Sequence, residues 1–232
     1  MEHSLKNPYI TVSDGRIVSY GGNQMNADNR TERSVGCGVI AALDLLLYLS
    51  RYHLDSAEIG LKIPVPEKGA VPLQNYLLLT HALRRKYLPL IPGHGINGLM
   101  LAMGVNACFL KKRLPFRASW GVSYKNLWSE IARMLDEDIP VVFSIGPNMP
   151  LIWQHHKLKF YLMDRQGSFV PGPQTHAHYV MITGMDAYWL RVSSWGRMYY
   201  IRRDEFLSYV KEHSLRLVCN ILCIQKKDHG AS

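Results

Sequence analysis

The stretch from Ser34 to Ser50, SVGCGVIAALDLLLYLS, constrains this chain more than any other. Cys37 stands between Gly36 and Gly38, and from Val39 to Leu49 almost every residue is apolar, with Asp44 the only charge. A helix apolar on nearly every side has no face to give to water, so it predicts a buried central helix around which other elements pack. The run is too short to cross a bilayer, which takes roughly 20 apolar residues. A cysteine at the start of such a helix meets the positive end of the helix dipole, which favours the thiolate. Its backbone N–H has no acceptor within the first turn. Both features suit nucleophilic attack on a carbonyl, and the plain alternative is a buried structural cysteine. Asp44 lies two turns along the same face from Cys37. It reads as a cleft-floor residue or as a buried carboxylate bonded to neighbouring backbone or side chains.

The elements on either side of this helix differ in kind. Before it, Tyr9–Val12 and Ile17–Val18 flank the turn at Asp14-Gly15, a short hairpin pattern. Residues 21–34 form a polar, Gly/Asn-rich loop that leads straight into Cys37 and is expected to line its site. After it come a Pro-rich loop (62–72) and a helix over 73–87, with Leu77, Leu78 and Leu79 inward and Arg84, Arg85 and Lys86 in its last turn. A Gly-rich turn then carries His94, read as a solvent-facing loop residue, and a short helix over 97–103 follows it. A further amphipathic helix over 124–135 has Ser123 as its N-cap and Leu127, Ile131, Met134 and Leu135 as its stripe.

From 139 onward, strands take over. They are expected over 139–146, 178–185, 189–193, 198–201 and 215–225, with a long loop over 146–176 and a short helix over 204–211. Helices first and an antiparallel sheet later is the α+β pattern, with a cleft where the two parts meet. We read one domain over 1–232, mainly helical over about 20–138 and mainly antiparallel sheet over about 139–226.

His178 opens the best of these strands. A histidine at a strand end, facing a cysteine at a helix start, can take the thiol proton as sulfur attacks and return it to the leaving group from a thioester. A third group usually fixes the imidazole, and a donor near the thiol stabilises the oxyanion. Cys37-Gly38-Val39-Ile40-Ala41-Ala42, the Ile139-Pro140-Val141-Val142 strand, the His178-Tyr179-Val180-Met181-Ile182-Thr183-Gly184 strand and the Ser193-Ser194-Trp195-Gly196 turn stand in this order. The set resembles the papain-like cysteine peptidase superfamily, nearest the bacterial branch that includes the leader peptidases of bacteriocin exporters.

That resemblance implies a cysteine hydrolase acting on a peptide, amide or isopeptide bond. Cys37 would be the nucleophile, His178 the base and acid, and Ser193 would stand where the family has Asn or Asp. Gln24 would be the oxyanion donor, thirteen residues before the cysteine rather than about six. Trp195 would shield the histidine, and Ser194, His176 and Asn23 would line the cleft. The cysteine lacks the Cys-Gly-x-Cys-Trp context of the papain group itself. A catalytically silent peptide-binding relative, and an acyl transferase or deamidase using the same thioester, are the alternatives.

No metal or organic cofactor is called for. A zinc site from His155, His156, His176 and His178 has no evident carboxylate or Cys beside it. The net charge of +9 raises nucleic acid as a partner. The basic runs are short, however, and come with no recognised nucleic-acid motif, so they read as solvated surface. The opening MEHSLKNPYITVSDG lacks a basic start followed by an apolar core, and the four cysteines are scattered. The expectation is therefore a cytoplasmic protein with reduced thiols, a peptide or protein substrate and no membrane segment.

Overall fold

The computed structural model describes residues 1–54, 68–91, 93, 95–111, 113–151 and 153–227. The N-terminal part holds β1 (His3–Ser4), β2 (Thr11–Ser13), β3 (Val18–Tyr20), α1 (Arg30–Val35) and α2 (Cys37–His53). Next come β4 (Val71–Pro72), α3 (Leu73–Lys86), α4 (Gly98–Lys111), β5 (Phe116–Trp120) and α5 (Leu127–Asp136). The remainder is β6 (Val141–Ile145), β7 (Leu158–Met163), β8 (Phe169–Thr175), β9 (His178–Met185), β10 (Trp189–Ser194), β11 (Arg197–Arg202), α6 (Arg203–His213) and β12 (Ile221–Lys226).

α2 is the buried helix that its composition demands. From Gly38 to Ser50 every residue but Ile40 is buried. It packs against β9 and β6 on one side and against α3 and α4 on others. Arg51 and His53 occupy its last turn, where cations suit the negative end of the dipole.

The main sheet runs β5-β12-β6-β9-β10-β11-β7-β8, with β1 added beside β9, and its pairings are antiparallel. β6 and β9 are central and almost wholly buried, which fits their continuous apolar runs. Asp138, just before β6, ties the N-terminal segment to this core. It accepts from the Lys6 N–H at 2.7 Å, the Asn7 side chain at 2.6 Å and the Tyr48 hydroxyl of α2 at 2.6 Å.

The mixture of helices and an antiparallel sheet is as the sequence indicates, but several elements differ. The loop expected over 146–176 contains the β7–β8 hairpin, whose exposed, Pro- and Gly-containing second strand carries little alternation. The helix expected to stop at Met103 continues to Lys111, because Gly104 sits against Tyr87 and Leu88 where a side chain would not fit. Leu78 points to water rather than inward, since α3 buries Tyr76, Leu79, Thr80 and Leu83. α5 starts at Leu127 with Asn126 in the cap position, not Ser123. Residues 215–220 are turns, and only Ile221–Lys226 join the sheet. His94 and residues 62–67 of the Pro-rich loop lie outside the described residues. Among the described residues, no helix is long and apolar enough to cross a membrane.

Candidate active site

Cys37 is the first residue of α2 because Gly36 joins two helices end to end. The Gly36 N–H donates to the Glu32 carbonyl of α1 at 2.9 Å, and the Gly36 carbonyl accepts from Val39 and Ile40 of α2. A Cβ on Gly36 would strike the Glu32 carbonyl. On the other side, Gly38 lets Ile96 and the Tyr179 ring close in behind the thiol. The glycines flanking Cys37 are thus close-approach positions, and they leave the thiol half-buried between helix and sheet.

A small pocket opens over the thiol. Its walls include Cys37 and Asp44 from α2, Gly22 and Gln24 from the preceding loop, His178 from the start of β9, and Ser193, Ser194 and Trp195 from the end of β10. The sequence-selected Cys37, His178, Gln24, Ser193, Ser194 and Trp195 therefore converge. His176 and Asn23 do not line this pocket. His176 packs edge-on to His155 at 5.6 Å, and Asn23 caps the 3-10 turn Gln24–Asn26 by accepting from the Met25 N–H.

The histidine is held on two sides. Its Nε2 lies 2.8 Å from the Ser194 hydroxyl, which leaves Nδ1 as the other ring nitrogen. The Trp195 indole stacks on it, centroids 4.5 Å apart and planes at 14°. Trp195 has φ +47 and Gly196 φ +72, so both central residues of the two-residue β10–β11 turn are left-handed, as a type I′ hairpin requires. An aromatic residue in that region is strained, and the stack on His178 is a contact that holds it there.

The partner serine is Ser194, where the motif points to Ser193. Ser193 instead donates to the Tyr20 carbonyl at 2.7 Å. The reason is a bulge. β9 and β10 pair Arg191 with Gly184 but Val192 with Ile182, which leaves Thr183 without a directly paired residue. One unpaired residue exchanges the faces of everything beyond it, so Ser193 shares the face of Met181 and Ser194 that of His178.

Gln24, thirteen residues upstream of Cys37, lines the same pocket because α1 folds the chain back between them. Its amide donates one N–H to the Arg33 carbonyl at 2.8 Å. α1 is fixed to α3 by Glu32, whose carboxylate meets the Arg84 guanidinium at 2.6 Å. Asp44, buried at the pocket floor, accepts from the Tyr9 hydroxyl, the Gly22 N–H and the Tyr76 hydroxyl at 2.9, 3.0 and 2.7 Å.

The electrostatics run against the dipole expectation. Burial pushes the Cys37 thiol above its ordinary range, although the N–H groups of Tyr179, Gly38 and Cys37 itself pull the other way. Burial also lowers the His178 imidazole to about 4. At neutral pH the resting pair is a thiol and a neutral imidazole. Desolvation, which favours neutral forms, outweighs one helix end.

Among the described residues, no group of three or more His, Cys, Asp or Glu is arranged to hold a metal ion. His156 stacks on His213 at 3.8 Å, apart from the His155–His176 contact.

No protein-family model matches the chain, and no curated protein matches it. Among solved structures, a crystal structure of a Bacillus anthracis protein, described as a candidate C39-like peptidase, matches with a TM-score of 0.45 at 15% identity, covering 98% of this chain and 100% of that one.

Proposed function

We propose that this chain is a papain-like cysteine hydrolase that cleaves a peptide or related amide bond through a thioester on Cys37. The observation that carries the reading is the meeting, in one pocket, of a cysteine at the start of a buried helix, a histidine at the start of a strand and a carboxamide. With both reacting groups neutral at rest, His178 acts as a general base during attack rather than as half of a standing ion pair. The Cys37 sulfur bonds to the substrate carbonyl carbon, and its proton passes to His178. The tetrahedral oxyanion is met by the Gln24 amide and the Cys37 N–H. Collapse expels the amine, which takes the proton from His178. Water then repeats the sequence to free the acid. Ser194 takes the third position by fixing the imidazole through Nε2.

The resemblance to the leader-peptidase branch rests on motif order alone and leaves the substrate peptide open. A second reading, a catalytically silent relative that binds peptide in the same pocket, is favoured by the raised thiol and by a hydroxyl where the family has Asn or Asp.

The pH dependence of Cys37 alkylation by iodoacetamide, compared with His178→Ala, separates the two. Slower alkylation in the variant across neutral pH supports a working pair. Identical profiles leave only the binding reading.

A further inference from the structure

We propose that Asp44 is a positioning residue of this site: its carboxylate holds the Tyr20–Gln24 strap in the place that presents the Gln24 amide to the pocket and braces the Trp195–Gly196 turn over His178. The inference rests on the hydrolase reading and deepens it.

The strap is bound from two sides. From α2, Asp44 Oδ2 accepts the Gly22 N–H at 3.0 Å. From the sheet, the Gly196 N–H donates to the Gly22 carbonyl at 3.1 Å, and the Gly196 carbonyl accepts from the Tyr20 N–H at 2.8 Å. Ser193 adds its bond to the Tyr20 carbonyl. Gly22 thus joins the floor of the pocket, through its N–H, to the turn that carries Trp195, through its carbonyl, and Tyr20 ties the same turn two residues earlier. Two residues beyond Gly22 stands Gln24.

The strap also has no slack. A Cβ on Gly22 would run into the Tyr76 hydroxyl, and one on Gly21 would meet Ser193 Oγ and Asp44 Oδ2. Gly21 adopts φ +77, which favours glycine.

A carboxylate suits this post because it only accepts. All three groups bonded to it are donors, and two of them, the Tyr9 and Tyr76 hydroxyls, fix its orientation from the segment before β2 and from α3. The other titratable groups around it are Tyr20 from β3, Cys37 on its own helix and His178 across the pocket. Neither its bonded partners nor the pocket walls include a lysine or arginine. Burial accordingly raises the carboxyl to about 6. Protonation in mildly acid solution removes acceptor capacity from the Asp44 carboxyl, and the Gly22 N–H anchor weakens.

The test uses N-acetylglycinal, whose aldehyde carbon bonds to Cys37 sulfur while its oxygen takes the oxyanion position. Its affinity is read as protection of Cys37 from iodoacetamide across pH 5–8. In wild type, affinity is expected to fall as pH drops through about 6. Asp44→Asn is expected to melt within a few degrees of wild type, to bind the aldehyde roughly tenfold more weakly at pH 7.5, and to lose the limb near pH 6. Protection is scored against each protein's own rate with iodoacetamide alone, so that a change in thiol reactivity is separated from a change in oxyanion binding. A folded Asp44→Asn with wild-type affinity and an unchanged limb overturns the proposal.

Tyr76→Phe supplies an independent arm, and decides the matter if Asp44→Asn does not fold. Removing one donor from the carboxylate moves the limb to higher pH, and an unmoved limb overturns the proposal. Failure of the hydrolase reading is seen separately, as His178→Ala alkylating like wild type.

Discussion

The Trp195 indole covers the His178 imidazole face to face, with 4.5 Å between centroids. The ring that would carry the proton is thereby cut off from water on that side. Burial is the cause of its low basicity. A left-handed tryptophan in a tight turn, a contact between an aromatic and a strand-end histidine, and the protonation state of the candidate base are therefore one structural unit.

Trp195→Ala should uncover that ring. The His178 pKa is expected to climb from about 4 toward its ordinary 6.5, followed by NMR of the imidazole protons. The lost packing should cost about 3 kcal/mol, and the left-handed backbone gives nothing back, because alanine keeps the Cβ that strains it. A His178 titration that stays where it was would show that the stack does not control it.

Ser194→Ala should slow Cys37 alkylation about tenfold at pH 7.5, the worth of one ring-orienting hydrogen bond. Ser194→Asn should restore much of it. Ser193→Ala leaves the imidazole bond intact and should affect alkylation less. The opposite order would return the orienting role to Ser193.

Gln24→Ala should weaken N-acetylglycinal binding by about 100-fold, the loss typical of one oxyanion donor. Alkylation by iodoacetamide should hardly change, because that displacement builds no oxyanion. Equal loss in both assays would mean that the substitution disturbs the thiol itself.

Stability against pH should show two opposed groups. Between about 4 and 6.5 the unfolded chain binds more protons at His178 than the folded one, so this contribution is full above 6.5 and is lost as pH falls toward 4. Between 3.8 and about 6 the folded chain binds more protons at Asp44, so stability falls as pH rises through that window. Each amounts to about 3 kcal/mol, and across pH 4–6 they largely cancel. Urea unfolding of His178→Ala should show stability falling from pH 4 to 6, and that of Asp44→Asn should show it rising. Parallel profiles for the two variants would contradict the assignment.

Much of this architecture was legible in local pattern. The unbroken apolar run after Cys37 required a buried helix, and the strand of His178 was bounded correctly by its composition. The Gly-flanked cysteine and the Trp195-Gly196 turn were visible in the sequence, whereas the close approaches at those glycines and the left-handed backbone of the turn come from the packing. The β7–β8 hairpin was hidden, because an exposed strand containing Pro171 and Gly172 has no alternation to detect. The full length of α4 was hidden too, since Gly104 looks like an interruption until its packing against Leu88 is known.

Residue identity and local pattern say which chemical groups this protein has and on what kind of element each sits: a thiol at a helix start, an imidazole at a strand start, a carboxamide in a loop. Those follow from residue type, hydrophobic period and turn chemistry, which act over a few neighbours. Which serine meets His178 depends on how the strands pair, because a bulge opposite Arg191 and Val192 sets the face of every residue after it. Tertiary packing likewise raises the thiol and lowers the imidazole. Desolvation depends on everything packed around a group, and no local pattern carries that sum.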